Sequence, residues 1–174
     1  MKRKNISPSY SPSMDIQVSS NFERLLFEIN DRDTNLVKKQ MYDFKVDGKF
    51  KISQEKLNKI NNIFAAFKIG DVETLDIIKK IYKEHEYMLD PHSAIGYGAL
   101  QKAIEQKMIS IHTPIISLAC AHPAKFPQVI KKSIGISPEL PVHLDHIMSK
   151  KENFKIIEPN LKDIQEHIKK TMRK

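Results

Sequence analysis

Residues 113–130 read TPIISLACAHPAKFPQVI, and this stretch decides the fold class. Thr113 to Cys120 form an apolar run of strand length between turn signals, which is typical of a buried parallel strand. An AHP loop then leads into a helix predicted over 124–130. This order indicates an open α/β sheet, in which ligands bind at the carboxyl ends of the strands. We therefore expect Cys120 and His122 to lie at a strand end beside a ligand site.

The spacing of Cys120 and His122 also admits a nucleophile with its base. Residues i and i+2 of an extended segment point to the same side, so a thiolate–imidazole pair is geometrically feasible. However, no orienting carboxylate or oxyanion-hole feature can be placed nearby, and a thiol that ends a buried apolar run is inert. We therefore favour a small residue at a ligand-facing strand end over a catalytic dyad.

A second motif, DPHSAIGYGAL at residues 90–100, predicts a helix start. Asp90 suits the N-cap, and Pro91 suits the first helical position because proline lacks the N–H that would have no partner there. The small and polar residues of the first turn lie beside free N–H donors that can receive an anion, although a plain capped helix is the favoured interpretation. Gly96 and Gly98 fall inside this helix and predict close packing rather than phosphate binding.

The sequence HLDH at residues 143–146 offers three ligand types within four residues. A metal site there needs compatible geometry and usually a further ligand from elsewhere in the chain, so a polar surface turn is the favoured interpretation. The chain contains neither GxxxxGK[ST] nor GxGxxG, the two glycine-rich phosphate-binding patterns.

The other elements follow from capping residues and periodicity. We predict a short strand at Met14–Val18, a helix from about Asn21 to Asn30, and a turn between extended pieces at Val46–Phe50. A helical pair follows within 53–88, capped by Ser53, divided at Gly70 and Asp71, and placing Leu57, Ile60, Phe64, Phe67, Leu75, Ile78 and Tyr82 on inward faces.

The domain prediction has three parts. They are an irregular lead-in over 1–13, a main region over 14–135 with a helical insertion at about 53–88, and a carboxyl-terminal extension over 136–174. The extension is expected to contain a short strand at Phe154–Ile157 and a helix whose inward residues are Leu161, Ile164, Ile168 and Met172.

The composition indicates a globular protein of one domain. The chain has 174 residues, of which 40% are apolar and 29% charged, and its formal net charge is +8. No apolar run approaches the length of a membrane span, and a single cysteine suits the cytoplasm. The positive charge is spread as lysine without a basic stripe that interleaves aromatic residues, so a solvated surface is favoured over a nucleic-acid-binding module.

Three blocks carry a family resemblance: SPSMDIQVSSNFERLLFE (11–28), DPHSAIGYGAL (90–100) and LACAHPAKFPQVI (118–130). In this order and with this spacing they resemble the carboxyl-terminal part of bacterial and fungal threonine synthases. The resemblance covers roughly residues 7–135. It implies an incomplete tryptophan-synthase β-like domain, which is pyridoxal-phosphate fold type II, a mixed α/β fold with a helical insertion.

The resemblance also implies a cofactor and a reaction. Family members use pyridoxal phosphate to convert O-phosphohomoserine and water into threonine and phosphate. Their strand end usually carries threonine where this chain has Cys120, and the threonine hydroxyl faces the pyridine nitrogen of the cofactor. Cys120 is therefore the expected cofactor-facing residue, and its thiol is a weaker hydrogen-bond partner than a hydroxyl.

The family's Schiff-base lysine and glycine-rich phosphate loop lie in its amino-terminal half, and no matching motif occurs in this chain. We therefore expect a fragment that is inactive alone, with binding of pyridoxal phosphate by this chain alone in doubt. The alternative is one half of a split enzyme, completed by a separately encoded amino-terminal half. The third, least favoured hypothesis is the basic nucleic-acid-binding module.

Overall fold

The computed structural model describes residues 1–110 and 112–172, and the chain divides into two units, Met1–Glu139 and Leu140–Lys174. The described residues of the first unit form the α-helices α1 Ser20–Ile29, α2 Thr34–Val46, α3 Gln54–Asn61, α4 Asp71–His85, α5 Pro91–Glu105 and α6 Pro127–Ile134. Short 3-10 turns at Pro12–Met14 and Pro123–Lys125 stand among them. The second unit contains a 3-10 helix at Val142–Ser149 and helix α7 at Leu161–Thr171.

Helices α1 and α2, with the segment that follows α2, form the first of the two hydrophobic clusters found in the described residues. Leu26 of α1, Phe44 of α2 and the following Phe50 are its buried residues. The rings of Phe44 and Phe50 meet edge to face at 5.9 Å between centroids. Gly48 makes the turn between α2 and Phe50 with a φ of +67°, which a glycine adopts without strain.

Helices α4, α5 and α6 surround the second cluster, in which Ile78, Ala94 and Ile130 are fully buried. Gly98 allows α5 to approach α4 and the residues before it. A Cβ built at Gly98 would lie 2.6 Å from Ile77 Cδ1 and 3.1 Å from Ile69 Cδ1. The prediction of close packing at this glycine is confirmed, and the second cluster is the part of the fold on which the candidate site rests.

Several predicted helix starts are confirmed because their signals are local. Helix α1 lies where the Asn21–Asn30 helix was predicted. The side chain of Ser53 caps α3 by accepting a hydrogen bond from Lys56 N, and Asp90 caps α5 by accepting one from His92 N. Helix α3 ends at Asn61, so Phe64 and Phe67 follow the helix instead of extending its face.

Helix α2 was missed by the sequence interpretation, which predicted no helix between Asn30 and Ser53. Asp33 caps it through hydrogen bonds from Asn35 N and Leu36 N. Its buried residues include Val37, Gln40 and Phe44, a helical spacing that the polar Gln40 conceals. The turn predicted at Val46–Phe50 is confirmed, with Lys49 in an isolated antiparallel bridge to Lys2, but the piece before the turn is the end of α2 and not an extended segment.

The predicted strands are wrong for this chain. In the described residues, 114–120 form no strand, and Ile116 and Leu118 are 83% and 76% exposed. A strand is stable only when neighbours satisfy its backbone groups, and no strand lies beside this segment within the part of the chain described. Met14–Val18 and Phe154–Ile157 are likewise not strands; a 3-10 turn, Pro12–Met14, ends at Met14.

The second unit has an amphipathic helix without a covered apolar face. Helix α7 begins at Asn160, whose side chain accepts a hydrogen bond from Asp163 N. The prediction that its apolar residues point inward is wrong, since Leu161, Ile164, Ile168 and Met172 are all exposed. Over the described ranges, no helix combines the length and apolar character that a membrane crossing requires.

Candidate functional site

The candidate site centres on a buried carboxylate, Asp90, at the start of α5. Asp90 is 1% exposed. Its Oδ1 accepts hydrogen bonds from His92 N at 2.9 Å and His92 Nδ1 at 3.1 Å. Its Oδ2 accepts from the Ser93 hydroxyl and, at 3.3 Å, from Ala121 N. A buried carboxylate is costly unless donors surround it, and these four donors satisfy both oxygens.

His92 links this carboxylate to the amino-terminal block. Its Nδ1 faces Asp90, while its Nε2 accepts a 3.3 Å hydrogen bond from Ser13 N. A nitrogen that accepts carries no proton, so these partners assign the neutral tautomer with the proton on Nδ1. The ring also packs against Phe126, with 4.9 Å between centroids. His92 therefore connects the start of α5 with the segment at Ser13 and the segment at Phe126.

Ser93 links the same carboxylate to the segment that contains Cys120. Its hydroxyl donates to Asp90 Oδ2 and accepts a 2.9 Å hydrogen bond from Cys120 N. In a catalytic triad the serine donates to histidine, whereas here the nearby His92 Nε2 is occupied by Ser13 N. Asp90, His92 and Ser93 therefore do not form a nucleophile with its base.

Cys120 lies where this network holds the backbone and leaves the side chain open. The thiol is exposed, and its Sγ lies 3.5 Å from Leu118 O, within range of a weak hydrogen bond. Ser11 adds a further connection between the blocks, because its buried hydroxyl donates to Pro91 O at 3.3 Å. Residues from all three blocks that carry the family resemblance thus meet behind Cys120.

His122 has a local structural role. Its Nδ1 accepts a 3.2 Å hydrogen bond from Ala124 N and so caps the 3-10 turn at Pro123–Lys125. That nitrogen is therefore committed to the backbone of the turn. This bond leaves His122 Nδ1 unavailable as a base toward Cys120, and the ligand-facing interpretation of Cys120 stays a prediction.

A cavity of about 260 Å³ lies beside the network. Its lining residues are Tyr87, Met88, Leu89, Asp90, Ser93, Ala119, Ala121, His122 and Pro123. This lining contains neither a lysine nor a glycine, the residue types that attach pyridoxal phosphate and cradle its phosphate group.

The alternative metal site lies in the second unit. His143, Asp145 and His146 belong to the 3-10 helix Val142–Ser149, and His146 Nδ1 lies 3.3 Å from Asp145 Oδ1. Across the described ranges, no group of three or more His, Cys, Asp or Glu side chains is arranged to hold a metal ion.

Comparison with known proteins identifies the family. Residues 93–168 match the family model of the threonine synthase carboxyl-terminal region. The threonine synthase of Pseudomonas aeruginosa is 35% identical over 164 residues, covering 94% of this chain and 34% of that protein. The chain corresponds to the carboxyl-terminal part of a threonine synthase.

Solved structures agree with this assignment. The pyridoxal-phosphate-bound threonine synthase from Brucella melitensis matches with a TM-score of 0.82 and 40% identity, covering 97% of this chain and 35% of that one. Yeast threonine synthase matches with a TM-score of 0.80 and 28% identity, covering 97% of this chain and 37% of that one. The chain thus spans about a third of the length of these relatives.

These matches confirm the predicted fold class, an incomplete α/β domain of the threonine synthase kind. The described residues are mostly helical, consistent with a chain that matches only part of that domain. The similarity continues to residue 168, beyond the end at about 135 that the three blocks indicated.

The sequence interpretation singled out Cys120 and the Asp90 cap. It did not predict the hydrogen bonds from Ala121 N to Asp90 and from Cys120 N to Ser93, which join the two segments. Asp90 and Ala121 are 31 residues apart, and Ser93 and Cys120 are 27 apart. An N-cap aspartate predicts a bond to the amides just after it, whereas the use of its second oxygen depends on the tertiary fold. The only sequence signal was the presence of both motifs in one family pattern.

Proposed function

We propose that this chain forms one wall of a threonine synthase active site and is inactive by itself. The reaction is the family's, conversion of O-phosphohomoserine and water into threonine and phosphate. The observation that carries the proposal is the buried Asp90–Ser93 network, which fixes the backbone of Cys120 and Ala121 while leaving the thiol exposed. Such an arrangement suits a side chain that faces a ligand contributed from outside this segment.

Pyridoxal phosphate fits the residues of this chain only in part. The cofactor supplies an electron sink when its ring nitrogen, its covalent attachment and its phosphate are all held by protein groups. The exposed Cys120 thiol suits the ring nitrogen as a weak partner. The lining of the neighbouring cavity offers neither an attachment lysine nor a glycine-rich phosphate cradle. The described residues therefore fit one edge of the cofactor, and we derive no catalytic step from them.

The partner of this wall is, in our proposal, the amino-terminal part of a threonine synthase, supplied as a separate chain or as more of the same one. Exposed apolar side chains at Ile116 and Leu118 support this, because such residues on an extended segment are suited to be covered by added strands. Residues 114–119 also make no backbone–backbone hydrogen bonds within the part of the chain described, so an added strand can pair with their backbone groups.

Two measurements test this proposal. Purified chain with pyridoxal phosphate and O-phosphohomoserine is expected to release no phosphate. Co-expression with the amino-terminal two thirds of the Pseudomonas aeruginosa enzyme is expected to restore phosphate release, and the Pseudomonas enzyme divided at the same point is the matched positive control. Phosphate release by the chain alone contradicts the proposal that it is inactive by itself. If the mixed pair releases no phosphate while the divided Pseudomonas enzyme does, the proposal that an amino-terminal part completes this chain is contradicted.

The DNA immediately upstream separates the split enzyme from an isolated fragment. An intact reading frame that encodes the lysine and glycine-rich motifs supports the split arrangement, and its product then replaces the Pseudomonas part in the assay. Stop codons throughout that region contradict the split arrangement.

A further inference from the structure

The two oxygens of Asp90 serve different segments. Oδ1 accepts from His92 N, which is the ordinary bond of an N-cap residue. Oδ2 accepts from the Ser93 hydroxyl, in the first turn of α5, and from Ala121 N, which lies outside that helix. Capping of α5 requires only the bond at Oδ1, so the bonds at Oδ2 have a further structural effect.

That effect is the placement of the backbone at Cys120 and Ala121. Within the part of the chain described, residues 114–121 make no backbone–backbone hydrogen bonds. The amides of Cys120 and Ala121 instead find acceptors on two side chains, Ser93 Oγ at 2.9 Å and Asp90 Oδ2 at 3.3 Å. Ser93 is itself oriented by its bond to the same carboxylate oxygen. One buried oxygen thus controls both amides.

We propose that Asp90 is a positioning residue that fixes the turn presenting the Cys120 thiol. The orientation of the thiol follows from the backbone, since the side chain is exposed and makes only a weak contact with Leu118 O. That the turn faces a cofactor rests on the proposed function, whereas the positioning itself is a property of this chain.

The variant Asp90→Asn separates positioning from capping. Asparagine is as good an N-cap as aspartate, so its oxygen keeps the bond from His92 N. Its amide then places two N–H donors where Oδ2 accepted, facing the donors Ala121 N and Ser93 Oγ. Helix α5 is expected to persist while the turn at Cys120 loses its acceptor.

Amide hydrogen exchange on the isotope-labelled chain measures this directly. In Asp90→Asn, exchange at Cys120 and Ala121 is expected to accelerate about tenfold, since ~1.4 kcal/mol of lost stabilisation corresponds to a factor of ten. Exchange at Gly98, inside α5, is expected to change by less than about twofold, because the cap remains. Equal acceleration at all three amides indicates a merely structural role and overturns the proposal, as does unchanged exchange at Cys120 and Ala121.

Two further variants make the test specific. Ser93→Ala removes the acceptor of Cys120 N, and combining it with Asp90→Asn is expected to add little at Cys120 because both act through one hydroxyl. Asn30→Ala removes a buried hydrogen bond to Gln40 and a part-buried one from Lys56, at the end of α1. It is expected to lower the free energy of unfolding without accelerating Cys120 selectively, and selective acceleration there contradicts the proposal.

The completed enzyme provides a separate measurement. In the co-expressed pair, Asp90→Asn is expected to reduce kcat about tenfold with little change in KM, because the displaced turn affects the reacting geometry more than substrate capture. If the unsubstituted pair is inactive, the proposed function fails while the exchange result still decides whether Asp90 positions the turn. A selective exchange effect without any loss of kcat overturns the link between this position and the reaction.

Discussion

The amide of Ala121 donates a 3.3 Å hydrogen bond to Asp90 Oδ2, which joins a helix cap to a segment 31 residues further along the chain. The same carboxylate caps α5 through its other oxygen. A residue that would be only a local helix signal therefore also bonds to the segment that contains Cys120. Asp90 is 1% exposed, whereas the caps Asp33 and Ser53 are exposed, and donors from both segments satisfy the Asp90 carboxylate in its buried position.

Replacement of Phe44 by alanine is expected to destabilise the first unit by about 3–5 kcal/mol, because a large buried ring is lost and a cavity remains. Phe44 packs with Leu26 and Phe50 in the first hydrophobic cluster. Tyr42 is exposed on the same helix, so Tyr42→Ala is the matched control and is expected to change stability by less than about 0.5 kcal/mol. Chemical denaturation measures both, and similar effects of the two variants would show that the cluster is absent.

Replacement of Gly98 by valine is expected to destabilise the second cluster by about 1–3 kcal/mol through overpacking. Even a Cβ there lies 2.6 Å from Ile77 Cδ1 and 3.1 Å from Ile69 Cδ1, and valine adds two methyl groups beyond it. Lys79→Val at an exposed position in the middle of α4 controls for helix propensity and is expected to cost no more than about 0.7 kcal/mol. Thermal unfolding compares them, and a stability of Gly98→Val equal to that of the control contradicts the close packing.

The sequence predicted the helix caps well because each cap is decided by neighbouring residues. Ser53 and Asp90 each bond to an amide two or three residues ahead, so the signal and the structure lie in the same short segment. Helix α2 was missed because the polar Gln40 occupies a buried position, where its side chain accepts a hydrogen bond from Asn30. A buried polar residue with a distant partner breaks the apolar period on which the prediction depended.

Whether the segment Thr113–Cys120 forms a strand could not be decided from its own residues. Its apolar run predicts burial, yet Ile116 and Leu118 are exposed because a strand acquires its environment from neighbours that local sequence does not specify. The candidate site shows the same limit. Cys120 was identified from its place at the end of the apolar run and from the family resemblance, whereas the bond from its amide to Ser93 spans 27 residues and only the folded chain brings these groups together.

Replacement of Leu118 by lysine tests whether the exposed segment is covered in the complete enzyme. Leu118 and Val72 are both 76% exposed, so Val72→Lys is a closely matched control. Each variant is expected to change the stability of this chain by less than about 0.5 kcal/mol, because neither side chain is buried here. In co-purification with the amino-terminal part, only Leu118→Lys is expected to reduce recovery of the pair. Equal recovery of both variants would place the partner elsewhere.

Replacement of Cys120 by threonine tests the cofactor-facing assignment. The thiol is exposed in this chain, so Cys120→Thr and the control Cys120→Val are both expected to leave its thermal stability nearly unchanged. In the completed enzyme the hydroxyl is the stronger hydrogen-bond partner, so threonine is expected to raise kcat a few-fold (about 2- to 10-fold) above cysteine, with valine below both. Phosphate release from O-phosphohomoserine measures this order. Identical kcat values for threonine, cysteine and valine would show that this position makes no hydrogen bond that matters to the reaction, and the assignment of Cys120 to the cofactor would fail.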